Sequence, residues 1–82
     1  MDLVKGTLVR SKAGRDKTRT LAVLDVDGQM LLLADGCTRP IAKPKRKKRR
    51  HVAPTTTILE SELLKSDQLL SEAIAAFDAD AN

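Results

Sequence analysis

Aromatic residues are almost missing from this chain, which has one Phe and no Tyr or Trp in 82 residues. Proteins that hold single-stranded nucleic acid usually stack bases on aromatic rings. The one ring here, Phe77, lies far from the basic half of the sequence, so no stacking platform is expected there. Cysteine is equally scarce: a lone Cys37 excludes an internal disulfide framework and fits a reducing cytoplasm. Neither Cys37 nor the single histidine, His51, belongs to a set with metal-ligand spacing. No apolar run is long enough to span a bilayer, and the start, MDLVKGTLVRSKAG, lacks the apolar stretch of a secretory signal. Catalytic constellations are missing too. There is no Gly-rich nucleotide loop, no paired-carboxylate motif, and no Ser, Cys or carboxylate at a recognisable spacing from His51. Neither an enzyme nor a cofactor is expected.

What is present is positive charge, unevenly placed. Residues 1–52 hold fourteen Lys or Arg against five Asp or Glu, a net +9, whereas residues 53–82 hold one basic residue against six acidic ones, a net −5. Seven cations fall within eight positions, KPKRKKRR at 43–50, followed by His51. Such a block can neutralise several phosphates and release their counterions. The same block also fits a solvated charge run or a nuclear-import signal. Four more cations, Lys12, Arg15, Lys17 and Arg19, surround Gly14 in a polar loop, with Arg15 best suited to bidentate phosphate contact. Asp16 can orient Arg15 or pair with Lys12. Cations in these patterns position a protein on a nucleic-acid backbone without reading sequence. With no aromatic platform, the expected target is structured RNA, although charge alone does not separate RNA from DNA.

The length supports one small domain with a thin core. Residues 6–11 and 20–28 read as strands, the second ending at the turn pair Asp27-Gly28. Residues 29–36 form another apolar run closed by Asp35-Gly36, residues 37–43 a fourth short strand with Pro40 at an edge or bend, and residues 51–54 a brief fifth. Apolar residues run together at 21–26 and 30–34, so the pattern leaves open which face points inward. From Pro54 the spacing turns helical, with Leu59, Leu63, Leu70, Ile74 and Phe77 on one face. Thr57 and Glu60 fit a capping box, and Ser66-Asp67 fits an N-cap. The spacing predicts helices over about 57–64 and 67–77, or one continuous helix, with residues 78–82 frayed. The apolar face can cover an open side of the β-structure, or it can dock a protein partner.

At SKAGRDKTRTLAVLDVDGQMLLLADG the sequence resembles the KOW motif of RNA-binding, SH3-like barrels. More closely, it is similar to the archaeal and eukaryotic large-subunit ribosomal protein family labelled fourteen-e. The likeness rests on Ala13-Gly14-Arg15-Asp16, Leu21 to Val26, Leu31 to Gly36, Lys45 to Arg50, and His51-Val52-Ala53-Pro54-Thr55, in that order, over roughly residues 3–55. It also fits stand-alone bacterial KOW-domain proteins of this length. One position departs: Thr18 stands where the motif usually has Gly, a residue that permits positive φ or a close approach to RNA. A differently shaped loop is therefore expected.

The resemblance implies a mainly β protein with a small SH3-like KOW barrel over residues 1–55; the acidic helical extension over 56–82, read from its spacing, lies outside the likeness and receives no function from it. The resemblance also implies rRNA contact and association with the large ribosomal subunit. The RNA-binding residues expected are Lys12, Arg15, Lys17, Arg19, Lys43, Lys45, Arg46, Lys47, Lys48, Arg49, Arg50 and His51. The alternative is a protein-interaction adaptor that works through the acidic helices, with the basic run serving solubility. A membrane surface is the weaker partner, because no amphipathic apolar face neighbours the basic block.

Overall fold

A computed structural model describes residues 3–15 and 17–80. The expected pairing of Asp16 with Arg15 or Lys12 therefore lies outside the described residues, as do Ala81 and Asn82 of the expected frayed end. Five antiparallel strands form one sheet: β1 Thr7–Ser11, β2 Thr20–Asp27, β3 Met30–Ala34, β4 Lys45–Lys48 and β5 Val52–Ile58, in the order β4-β3-β2-β1-β5. A one-turn 3-10 helix, Arg49–His51, joins β4 to β5. A second, Ser61–Leu64, leads to the single α-helix α1, Asp67–Asp80.

The mainly β expectation is met, and the sheet curls without closing. Val52 near one end of the order and Leu31 and Leu33 near the other belong to a single buried cluster with Leu3, Val9, Leu21 and Val23. Only Leu3 comes from outside the strands, yet Val9, Leu21, Val23, Leu31 and Leu33 have no exposed surface, so the sheet curls over its own inner face. Its end strands β4 and β5 are not neighbours in the ladder.

Part of the opposite face is buried as well. Leu8, Ala22 and Ala34 project from the other side and pack with Leu64, Leu70 and Ile74, flanked by Leu24, Ile41, Leu59 and Phe77. Strands covered on two sides need no polar alternation, which is why residues 21–24 and 31–34 read as continuous apolar runs. In a domain this small, the helix adds a second core layer that the sheet alone lacks.

Three expected elements are differently placed. Residues 37–43 form turns rather than a strand, pinned by the Asp35 carboxylate, which accepts the N–H groups of Cys37 and Arg39 at 2.8 Å each. The fourth strand is instead the basic run itself, Lys45–Lys48, paired residue for residue with Leu33 to Met30. The fifth strand runs on through Ile58, so the expected division at 55/56 falls inside β5 and no helix begins at 57. Pairing with β1 decides this: Thr7 lies opposite Ile58, and the Thr55 hydroxyl donates to the Leu8 carbonyl at 2.8 Å. The Thr57–Glu60 capping box is therefore not formed. Thr57 lies in β5, and Glu60 only precedes the 3-10 turn.

The second helix is where the spacing puts it. Ser66 precedes it, its hydroxyl accepting the Leu69 N–H at 3.4 Å. The helix extends to Asp80, beyond the expected end, because Asp78 is tied down: the Thr20 hydroxyl donates to its carboxylate at 2.6 Å, and Arg10 lies 3.8 Å from the same oxygen. The helix start is seated closely on the loop after β3. The Asp67 carboxylate accepts the Ile41 N–H at 2.8 Å. A Cβ on Gly36, whose φ is 77°, would come within 2.2 Å of the Asp67 carbonyl oxygen.

Candidate nucleic-acid interface

The loop between β1 and β2 is narrow at its base. Ser11 N–H donates to the Arg19 carbonyl at 3.0 Å, Thr18 N–H donates back to the Ser11 carbonyl at 2.9 Å, and Lys17 N–H closes a turn on Gly14 at 3.2 Å. Thr18 adopts φ 74°. The expectation that this residue would forgo the glycine conformation is corrected: the loop keeps the left-handed turn and Thr18 bears its steric cost. Lys12, Arg15 and Lys17 are exposed around this turn.

Two contacts attach the loop to the basic run. Lys12 N–H donates to the His51 carbonyl at 2.8 Å. The Lys47 ammonium donates to the Ala13 carbonyl at 2.8 Å. Lys47 is a buried residue, and its ladder partner Leu31 belongs to the inner core. Cross-strand partners share a face of the sheet, so Lys47 points inward and spends its charge on the loop backbone. The structure thus makes this candidate a clamp holding the loop, with little surface left for a phosphate.

The rest of the run divides by the pleat of β4. Lys45 shares the face of Lys47 and is half-buried, whereas Arg46 and Lys48 are exposed on the opposite face. There Arg46 stands in a row with Leu32 and Asp25, and Lys48 with Met30 and Asp27. Two carboxylates on that face weaken its pull on a polyanion. The 3-10 turn carries Arg50 exposed and Arg49 and His51 half-buried. Its start is fixed by Arg49 N–H donating to the Gln29 carbonyl of the β2–β3 turn at 2.9 Å.

Arg19 is drawn away from the cluster. Its Nη1 donates to the Thr38 hydroxyl at 2.5 Å and lies 3.9 Å from the Asp35 carboxylate. Lys43 is exposed in the loop before β4. The residues brought together are therefore Lys12, Arg15 and Lys17 with Lys47, Arg49, Arg50 and His51. The 3-10 turn links the loop on one side to the β2–β3 turn on the other. Gln29 was missed by sequence reasoning: the basic turn 20 residues later docks on its backbone carbonyl, which no side chain in the hairpin turn signals.

Among the described residues no group of three or more His, Cys, Asp or Glu side chains is placed to hold a metal ion, and no helix is long and apolar enough to cross a membrane. No protein-family model matches the chain, and no curated protein is detectably similar to it.

Proposed function

We propose that this protein is a non-enzymatic RNA-binding module of the cytoplasm that seats on structured RNA of the large ribosomal subunit. The contacts are mainly to phosphates. The observation that carries this reading is the joining of two cationic stretches, distant in sequence, by the Lys12–His51 hydrogen bond and the Lys47–Ala13 hydrogen bond, whose partners are 34 residues apart. Fixing a loop of cations against a cationic turn costs electrostatic energy in the free protein. A polyanion spanning both recovers it and releases condensed counterions. The lack of an aromatic side chain on this face suits a folded RNA recognised by shape rather than unstacked bases.

The adaptor reading draws less support, because the apolar face of α1 that a partner would need, Leu70, Ile74 and Phe77, is turned onto the sheet.

The test is a salt titration of binding to a structured rRNA fragment. Neutralising about six phosphates gives a slope of log K against log salt near −4 to −5. A slope near zero would overturn the proposal.

A further inference from the structure

Beside the 3-10 turn lies a notch of about 250 Å³ lined by Gln29, Lys48, Arg49 and Arg50. We propose that it is a discrete seat for a single phosphate group, the one point of the basic surface that holds a phosphodiester in fixed geometry. This rests on the RNA-binding reading above and adds to it a particular residue and a particular ligand group.

Three observations converge on the notch. Its lining carries three cations and one neutral amide, with no carboxylate. Asp27, in the row of Lys48 across Met30, stands outside that lining, as does Asp25 in the row of Arg46. Its volume is below the roughly 300–1,000 Å³ of sites that enclose whole small molecules, so it suits a phosphate rather than a nucleoside. Most telling, the Nε of Arg49 is buried and has no hydrogen-bond partner among the described residues. A buried N–H donor without an acceptor is costly to keep. Seating an oxyanion in the notch turns the guanidinium so that the Nε–H gains an acceptor and, with one terminal N–H, forms the side-on fork that binds phosphate bidentately.

The backbone walls of the seat are fixed. Arg49 N–H is bonded to the Gln29 carbonyl, so the β2–β3 turn and the 3-10 turn hold the two walls together. Lys48 and Arg50 flank the seat and add charge without that geometry. Arg49 is thus the residue at which Arg and Lys are not interchangeable.

The experiment follows the Arg49 Nε–H resonance of the full chain by NMR while titrating inorganic phosphate, and separately the structured rRNA fragment. RNA affinity is measured in parallel for Arg49→Lys and Arg50→Lys. The proposal expects RNA to move the Arg49 Nε–H signal downfield and saturably. It also expects Arg49→Lys to weaken RNA binding about tenfold, the scale of a lost bidentate contact, while Arg50→Lys stays within about threefold. Backbone amide spectra of both variants check that the fold is kept.

If RNA binds but the Arg49 signal stays still, or if both variants weaken binding equally, the seat is overturned and the RNA-binding reading stands. If inorganic phosphate moves the signal saturably while RNA fails to bind, the seat is upheld as a free-anion site and the RNA reading fails. If neither ligand moves it, the seat is overturned.

Discussion

Thr18 holds φ at 74° although its Cβ is branched, and the left-handed region costs an L-residue about 1–2 kcal/mol, most for branched side chains. It is exposed, so nothing is lost from the core by removing its side chain. Thr18→Gly should therefore raise stability by about 0.5–1 kcal/mol, after allowing for the greater freedom of glycine in the unfolded chain. Thermal unfolding would register this as a rise of about 4–8 °C per kcal/mol for a domain of this size. No rise would show that the turn relaxes in solution. Lys47 and Lys48 make the complementary case, being adjacent, chemically identical and placed in opposite roles. Lys47→Met keeps the aliphatic stem but loses the 2.8 Å bond to Ala13, which should cost about 1–2 kcal/mol and speed amide exchange in the loop. Lys48→Met should leave stability within about 0.5 kcal/mol and reduce the salt slope of RNA binding by about 1. Equal stability losses in the two variants would remove the clamp role from Lys47.

At the scale of elements, α1 acts as the outer layer of the sheet's core. Leu70 is fully buried against Leu8, Ala22 and Ala34, while its neighbour Leu69 is 43% exposed. Chemical denaturation should show Leu70→Ala destabilised by about 2–5 kcal/mol and Leu69→Ala by about 0.5 kcal/mol or less. Similar small losses in both would mean that the helix is an appendage. What could be read from the sequence differs by element for physical reasons. The β2–β3 hairpin was legible because its turn chemistry is local: Asp27 pairs with Met30, leaving Gly28 and Gln29 as the two-residue loop, and Gly28 takes φ 60°. The helix from Asp67 was legible because its buried positions repeat at helical spacing. β4 was not, since Lys-Arg-Lys-Lys has neither alternation nor strand preference and becomes a strand only by pairing with β3. The stretch 55–58 carried a true helix-start signature that lost to the ladder with β1, a tertiary override no local pattern announces. In the candidate site the same division holds. Clustering of cations was visible in the sequence, but the inward turn of Lys47 and the docking of Arg49 on Gln29 depend on register, which a run of identical charges cannot reveal.

At the scale of the whole molecule, charge is segregated. Cations crowd the loop, β4 and the 3-10 turn, and acids line α1, where Glu72 and Asp80 face outward and Asp78 is engaged by Thr20. Asp78 near the end of α1 still reaches the base of the β1–β2 loop, 3.8 Å from Arg10, so the basic face that a large polyanion would meet is the tip of that loop with the 3-10 turn. The proposed partner, a ribosomal large subunit, is large enough for this to be tested by sedimentation of tagged protein from native lysate. Co-migration with large subunits at low salt is the expected outcome. Since contacts made through phosphates alone weaken steeply with salt, a high-salt wash sorts the mode of attachment. Retention would mean that fixed contacts such as the Arg49 seat and shape complementarity hold the protein as a component of the particle. Release would mean that counterion release supplies most of the affinity, as for an accessory factor. Protein remaining at the top of the gradient even at low salt would remove the ribosome from the proposal. The same basic face would then have to find its polyanion among smaller structured RNAs.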